Sequence, residues 1–239
     1  MARLGAILTA GFTLFTQVAA AQSSKPATPD LTGVYEVVSN RTVLPGGLKN
    51  SGSPEEISLQ PAAAAKAKAE DLNLDPAKTC QTIGPFRMMA RDGNMIDILP
   101  SPLTSRTFIL FEDYFAGFFR EIFLDRPPQP RTEFADRDGG QGDSYGRWDG
   151  DTLVVDTINF NNHVWLNANG APHSDAFHLN ERYRLVSGGQ YLEVKVTAED
   201  PKVLTKPYSY TRYYQKVDKE VPQYVCTDDL VKHTIPSVN

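Results

Sequence analysis

Residues 144–185 decide the fold, and they read SYGRWDGDTLVVDTINFNNHVWLNANGAPHSDAFHLNERYRL. Asp149-Gly150 separates two runs of strand-forming residues, which is a strong signal for a tight β-hairpin. A polar loop follows and leads into another strand-like run that ends at Leu185. Loops that a rigid sheet holds in place commonly carry functional side chains. We therefore expect an antiparallel sheet with an elaborated loop that contributes to a site.

Strand patterns of the same kind continue on both sides of this stretch. They predict strands over Leu31–Val38, Met95–Leu99, Thr107–Glu112, Phe118–Asp125, Ser144–Trp148, Thr152–Phe160, Phe177–Val186, Gln190–Ala198, Tyr208–Val217 and Gln223–Cys226. The alanine-rich run from Pro61 to Leu72 predicts one helix. Because closure removes open sheet edges, this order favours an all-β, closed, antiparallel up-and-down barrel of about eight to ten strands with one accessory helix. A two-sheet sandwich is the alternative, and a barrel of this size can enclose one small ligand.

The start of the chain has the features of an export signal. A positive start precedes an apolar run, and Ala19-Ala20-Ala21 supplies the small residues of a cleavage site. We predict a signal peptide over residues 1–21, a flexible leader over residues 22–30 and a single barrel domain over residues 31–239. The apolar run is too short for a comfortable membrane span, so the sequence predicts a secreted or periplasmic protein.

Composition narrows the classes of partner. The net charge is −5, from 24 basic and 29 acidic residues that are mixed along the chain. No Lys/Arg cluster is dense enough to follow a phosphate backbone, so nucleic acid is not a predicted partner. Cys80 and Cys226 predict a disulfide in an oxidising compartment, and two separate buried thiols are the alternative. The sequence does not set the oligomeric state.

Two sets of residues carry a resemblance to known proteins. The runs Gly146–Thr157 and Pro172–Ala176 resemble a large set of secreted bacterial proteins, and this resemblance implies export but no particular activity. Gly33-Val34-Tyr35 in the first strand is similar to the Gly-x-Trp opening of lipocalins and other calycins, with tyrosine in place of tryptophan. The second resemblance implies a barrel that binds a small hydrophobic molecule. A few calycin-like barrels carry lyase, isomerase or cyclase activity, so the resemblance also makes such an activity an expectation.

The strand that ends the central stretch places a carboxylate among apolar residues. Alternation along the strand puts Glu181 on the same face as Leu179 and Tyr183, and this face should point into the barrel. A buried carboxylate is costly unless it is paired or protonated. The candidate partners are Arg120 and Arg212, each of which shares a face with apolar or aromatic residues of its own strand. Glu181 is therefore either a general acid or base in an apolar cavity or half of a structural ion pair.

The loop before this strand supplies a second candidate group, which consists of His163, Trp165, His173, Asp175 and His178. Histidine titrates near neutral pH and ligates metals. His173, Asp175 and His178 could bind zinc or ferrous iron, or His173 with Asp175 could form a general-base pair. No helical HxxxH or strand HxH pair places two imidazoles side by side, and we predict no metal and no cofactor. The alternative is that these residues only order the loop.

These observations lead to a primary functional hypothesis and two alternatives. The primary hypothesis is an exported barrel enzyme that performs cofactor-free acid/base chemistry, of lyase, isomerase or cyclase type, on a small hydrophobic or aromatic molecule. Its catalytic residues would be Glu181, His173 and Asp175. The predicted substrate-binding residues are Arg120, Trp165, Tyr183, Tyr210, Arg212, His163 and His178. The first alternative is a lipocalin-like binding or carrier protein for a small hydrophobic ligand. The second is a structural envelope protein with a filled barrel.

Overall fold

The chain folds around a closed β-barrel. The computed structural model describes residues 28–112, 118–130, 140–161 and 163–221. Within these residues nine strands close the barrel in chain order. They are β1 Gly33–Val37, β2 Met95–Pro100, β3 Arg106–Glu112, β4 Phe118–Phe123, β5 Asp143–Asp149, β6 Thr152–Ile158, β7 His178–Val186, β8 Tyr191–Glu199 and β9 Tyr208–Val217. The predicted closed all-β barrel is confirmed, and each of these strands begins and ends close to its predicted bounds.

One junction in the barrel departs from the antiparallel prediction. Strands β4 and β5 pair in parallel, through Ile122 with Ser144 and Phe123 with Tyr145. Every other neighbouring pair is antiparallel, including the closing pair of β1 with β9. A closed ring of strands that alternate in direction needs an even number of strands. With nine strands in the described residues, one junction has to be parallel, and it falls where a long connection separates the two strands.

Short helices lie in the connections between the strands of the barrel. Helix α1 spans Pro61–Ala69 and begins, as predicted, with proline at its first position. It ends before the predicted Leu72, because Glu70 adopts extended backbone angles. Helix α2 spans Gly84–Met88 and was not predicted. Single 3-10 turns lie at Pro45–Gly47, Pro54–Glu56, Leu72–Leu74, Pro76–Lys78 and Ser187–Gly189.

Helix α2 and the two residues after it pack against the barrel interior. Phe86, Met88 and Met89 are buried, and the Phe86 ring lies 5.4 Å from the ring of Tyr210 on β9. Gly84 opens the helix at a φ of +73°, and a Cβ atom there would lie 2.7 Å from a methyl carbon of Val164. The segment 84–90 therefore fits against the barrel as an inner plug, which we call the α2 plug.

The barrel interior is mainly aliphatic and aromatic, with a few polar side chains. Register and burial place alternate residues of each strand inward. The buried, inward-facing residues of β6 to β9 are Leu153, Val155, Thr157, Leu179, Glu181, Tyr183, Leu192, Val194, Val196, Ala198, Tyr210, Arg212 and Tyr214. The alternation that the sequence predicted for β7 and β9 is thus confirmed, and it carries charged groups into the interior.

Some predictions fall outside the described residues. The predicted signal peptide, the last predicted strand and Cys226 all lie there. Cys80 lies within the described residues, none of whose cysteines is free, and its pairing with Cys226 stays a prediction. No helix in the described ranges combines the length and apolarity that crossing a membrane requires.

Candidate functional site in the barrel interior

An ion pair between β4 and β7 lies inside the barrel. Arg120 Nη1 donates to Glu181 Oε1 at 2.8 Å and lies 2.7 Å from Oε2. The two side chains are 1% and 0% exposed. Alternation predicted that Glu181 points inward, and this is confirmed. Of its two candidate partners, Arg120 is the one that it contacts.

Hydroxyl groups from three strands complete the surroundings of the pair. Tyr183, two residues along β7, donates its hydroxyl to Glu181 Oε1 at 2.8 Å. On the other side, Arg120 Nη2 donates to Ser144 Oγ and to Thr157 Oγ1, each at 2.8 Å. Ser144 and Thr157 are register partners on β5 and β6, and their hydroxyl oxygens lie 3.0 Å apart. The network therefore spans four strands from β4 to β7.

Two atoms of this network are left without a hydrogen bond within the described part of the chain. They are Oε2 of Glu181 and Nε of Arg120, and both are buried. Oε2 is in ionic contact with Arg120 Nη1, but the contact lacks the alignment of a hydrogen bond. Most buried polar atoms in folded proteins have a hydrogen-bond partner, because an unsatisfied one costs about 1–3 kcal/mol. The network thus retains one unused acceptor and one unused donor.

The electrostatics of the site keep the arginine charged and the tyrosine neutral. Burial alone would lower the pKa of Arg120, but the charge of Glu181 and the hydrogen bond to it hold that pKa above its ordinary value. Burial, reinforced by the charge of Glu181, raises the pKa of Tyr183 well above its ordinary value. Tyr183 is therefore a hydrogen-bond donor to the carboxylate across the physiological pH range.

The other predicted interior residues of β9 hold the α2 plug. Tyr210 donates its hydroxyl to the carbonyl of Phe86 at 2.6 Å, and Tyr214 donates to that of Met89 at 3.0 Å. Burial raises the pKa of Tyr210 well above its ordinary value, and the charges of Glu181 and Arg120 also act on this pKa. The plug is thus anchored by a tyrosine that lies within electrostatic reach of the buried pair.

Arg212 also holds the α2 plug by hydrogen bonds and does not pair with Glu181. Its Nε and Nη2 donate to the carbonyl of Ala90 at 3.3 and 3.2 Å. Its Nη1 donates to the carbonyls of Ser51 and Thr211 at 3.1 and 3.0 Å. Every nitrogen of this guanidinium is therefore already committed to main-chain oxygens.

His173 is held by main-chain carbonyls in the loop. Its Nδ1 lies 3.0 Å from the Ser174 carbonyl oxygen and its Nε2 lies 2.7 Å from that of Asn161. The imidazole packs against Phe177, with ring centroids 5.3 Å apart. Both ring nitrogens of His173 thus face main-chain acceptors. These contacts order the loop.

The predicted pair of His173 and Asp175 does not form. Asp175 is exposed and pairs with Lys202 at 2.6 Å. The residue between them, Ser174, donates its main-chain N–H and its hydroxyl to Asp200 at 2.7 and 2.8 Å. This turn fixes the backbone so that Asp175 meets the surface lysine instead of the imidazole.

The remaining predicted residues of the loop group are spread over the surface. His163 is exposed and Trp165 is half-buried. His178 lies on the outer face of β7, where its Nε2 is 3.0 Å from Asp156 Oδ1. Among the described residues no three His, Cys, Asp or Glu side chains are grouped so that they could hold a metal ion. The structure therefore separates the loop histidines from the interior pair.

Sequence reasoning missed Ser144, Thr157 and the α2 plug. Thr157 alternates with Leu153 and Val155, which are both buried, so the alternation rule applied to β6 would have placed its hydroxyl inside the barrel. No comparable signal marks α2, which is only five residues long and begins with glycine and proline.

Comparisons with known proteins add a likeness of fold. No protein-family model and no curated protein matches the chain. The fold is similar to the crystal structure of secretory abundant heat soluble protein 4 from Ramazzottius varieornatus, with 10% identity, a TM-score of 0.37, and coverage of 78% of this chain and 94% of that one. A second secretory abundant heat soluble protein from the same organism matches with 10% identity, a TM-score of 0.38, and coverage of 78% and 95%.

Proposed function

We propose that this protein binds a small, largely apolar molecule inside the barrel. The observation that carries the proposal is the buried Arg120–Glu181 pair, which keeps an unused acceptor and an unused donor in an otherwise apolar interior. Small-molecule sites in proteins typically combine apolar walls with a few placed polar groups that fix the orientation of the ligand. The network from β4 to β7 has this composition.

Binding is supported better than acid/base catalysis. The enzyme hypothesis assigned catalytic roles to Glu181, His173 and Asp175, but His173 contacts loop carbonyls and Asp175 contacts Lys202. Oxygen Oε1 of Glu181 already accepts hydrogen bonds from Arg120 and Tyr183. A general base also has to reach a proton of its substrate directly or through one water molecule. The contacts described for His173 and Asp175 do not connect either residue to the interior carboxylate.

The ligand requires space that the α2 plug can provide. Oε2 of Glu181 has almost no exposed surface, so a bound group reaches it only when neighbouring packing moves. The plug contributes Phe86, Met88 and Met89 to the core. Methionine side chains adapt readily to irregular spaces. We infer that the side chains of Phe86, Met88 and Met89 rearrange when the ligand enters, while the hydrogen bonds from Tyr210 and Tyr214 keep the main chain of the plug in place.

Mass spectrometry of the purified full-length protein tests this function. Native and then denaturing spectra are recorded for the wild type, for Glu181→Gln and for Glu193→Gln. Glu193 is a matched control because it also contacts an arginine and a tyrosine, on the outer face. We expect a small molecule, copurified or added as octanol or naphthol, that leaves on denaturation and is depleted only in Glu181→Gln. A bare wild-type protein that takes up neither probe saturably overturns the proposal.

A further inference from the structure

The buried pair has a charge balance that selects among ligands. Arg120 and Glu181 neutralise each other at 2.7–2.8 Å, and both are fully enclosed. An anionic ligand beside this pair would add a net negative charge to the interior, and an unpaired buried charge is strongly unfavourable. A neutral ligand adds no such penalty. Charge therefore favours an uncharged molecule at this site.

The unused atoms add a requirement for a hydrogen-bond donor. Glu181 Oε2 can only accept, and no described residue donates to it. A carboxylate ligand brings acceptors alone and would face Oε2 with like charge. A hydroxyl, a phenol or an amide N–H can donate to Oε2. The unused donor of this network, Arg120 Nε, needs an acceptor of its own.

The other buried guanidinium groups within the described residues, those of Arg212 and Arg87, do not offer a carboxylate site. Each nitrogen of Arg212 already donates to a carbonyl oxygen of Ser51, Ala90 or Thr211. Arg87 on α2 is paired with both oxygens of Asp75, at 3.0 and 2.9 Å. An acid that entered the interior would have to break one of these arrangements.

We propose that the ligand is a neutral molecule that presents a hydroxyl-type donor to Glu181 Oε2, and that the corresponding carboxylates are rejected. This inference rests on the proposed function, because it names the chemical class that the interior site takes. The interior site would then select alcohols or phenols whose remaining structure is apolar.

Calorimetric titration of the full chain with matched probes tests the inference. The aliphatic set is octanol, octyl methyl ether and octanoate, and the aromatic set is naphthol, its methyl ether and naphthoate. A hydrogen bond to a charged group contributes enough that we expect the alcohol of the fitting set to bind the wild type about 10- to 100-fold more tightly than its ether. The carboxylate should bind at least as weakly as the ether.

Variants sharpen the test. Glu181→Gln leaves the charge of Arg120 unpaired, so the order should reverse and the carboxylate should bind more tightly than the alcohol. Glu193→Gln should keep the wild-type order. Wild-type binding of the carboxylate or the ether as tight as that of the alcohol overturns the inference and leaves the proposed function standing. Failure of all six probes to bind overturns both. The affinities of the wild type for the alcohol and for its ether test the inference even if Glu181→Gln does not fold.

Discussion

Two groups of identical chemistry lie on opposite faces of the same barrel wall. Inside, Glu181 accepts from Arg120 and Tyr183. Outside, Glu193 on β8 accepts from Arg184 and from Tyr213, each at 2.8 Å. The inner arginine and glutamate side chains are 1% and 0% exposed, whereas the outer ones are 46% and 21% exposed.

The two groups differ in how completely they are satisfied. In the outer group each carboxylate oxygen of Glu193 has its own donor. In the inner group both donors address Oε1 of Glu181, and Oε2 has none among the described residues. Outside the barrel, water can donate to a carboxylate oxygen that has no protein donor. The oxygen without a donor instead lies inside the barrel, where the missing hydrogen bond destabilises the folded protein. We expect such a missing hydrogen bond in the interior at a site where a bound ligand supplies the donor.

The largest difference should come from removing each arginine. Arg120→Met leaves Glu181 as an uncompensated buried charge, which typically destabilises a protein by about 3–5 kcal/mol. Arg184→Met removes a surface ion pair of about 0.2–1 kcal/mol. Urea unfolding of both variants at neutral pH measures the contrast. Equal losses would mean that the inner pair is not isolated from solvent.

Removal of each tyrosine hydroxyl should give a smaller contrast. Tyr183→Phe removes a buried hydrogen bond to a charged carboxylate, and we expect a loss of about 1.5–3 kcal/mol in the free energy of unfolding. Tyr213→Phe removes one whose acceptor stays partly hydrated, with an expected loss of about 0.5–1.5 kcal/mol. Thermal unfolding monitored by circular dichroism ranks the two variants. The reverse order would argue that Tyr183 is not needed to stabilise the inner carboxylate.

Two cross-strand pairs of hydroxyl groups, one inside and one outside the barrel, should show a smaller difference in stability. Ser144 and Thr157 face each other inside the barrel and both accept from Arg120. Thr197 and Ser209 form an exposed hydroxyl pair at 2.8 Å. Thr157→Val should destabilise by about 1 kcal/mol, because it leaves Arg120 Nη2 with one acceptor fewer. Thr197→Val should leave the unfolding midpoint in urea unchanged, and a matching loss there would remove the distinction.

Alkaline titration should show the smallest effect. Burial, with the hydrogen bond and charge of Glu193, raises the pKa of Tyr213 to about 12, and the pKa of Tyr183 is raised well above the ordinary 10.0. A group whose folded pKa is raised stabilises fully below its unfolded pKa and loses that contribution as pH rises through the folded value. Tyr213→Phe should remove an absorbance step near pH 12. Tyr183→Phe should remove no step from the folded protein, and should make the loss of stability above pH 10.0 shallower.

The sequence predicted the barrel and its inner charge because both follow from a two-residue period. Alternation along β7 placed Glu181 inside, and alternation along β4 and β9 made Arg120 and Arg212 candidates. The choice between them depends on which strands face each other across the barrel and on the carbonyls that Arg212 meets. Those carbonyls belong to the α2 plug and a loop, and no periodic pattern reports on them.

The loop was harder to predict because proximity in sequence does not fix side-chain direction in a turn. His173 and Asp175 are two residues apart, yet the hydrogen bonds of Ser174 to Asp200 direct them to different partners. Asp200 lies beyond the next strand, so its role is visible only once β7 and β8 are paired. The parallel junction of β4 with β5 is likewise a consequence of closing the whole ring.

The most direct test of the central claim is the affinity for octanol or naphthol, whichever binds the wild type, in Glu181→Gln and Glu193→Gln side by side. The two variants carry the same substitution beside the same kinds of partner on opposite faces of the wall. Glu181→Gln removes the negative charge and puts a donor NH2 in place of one carboxylate oxygen, so it should weaken binding about 10- to 100-fold. Glu193→Gln should bind as the wild type does. Equal affinities in the two variants would contradict the claim that the incomplete inner pair is the binding site.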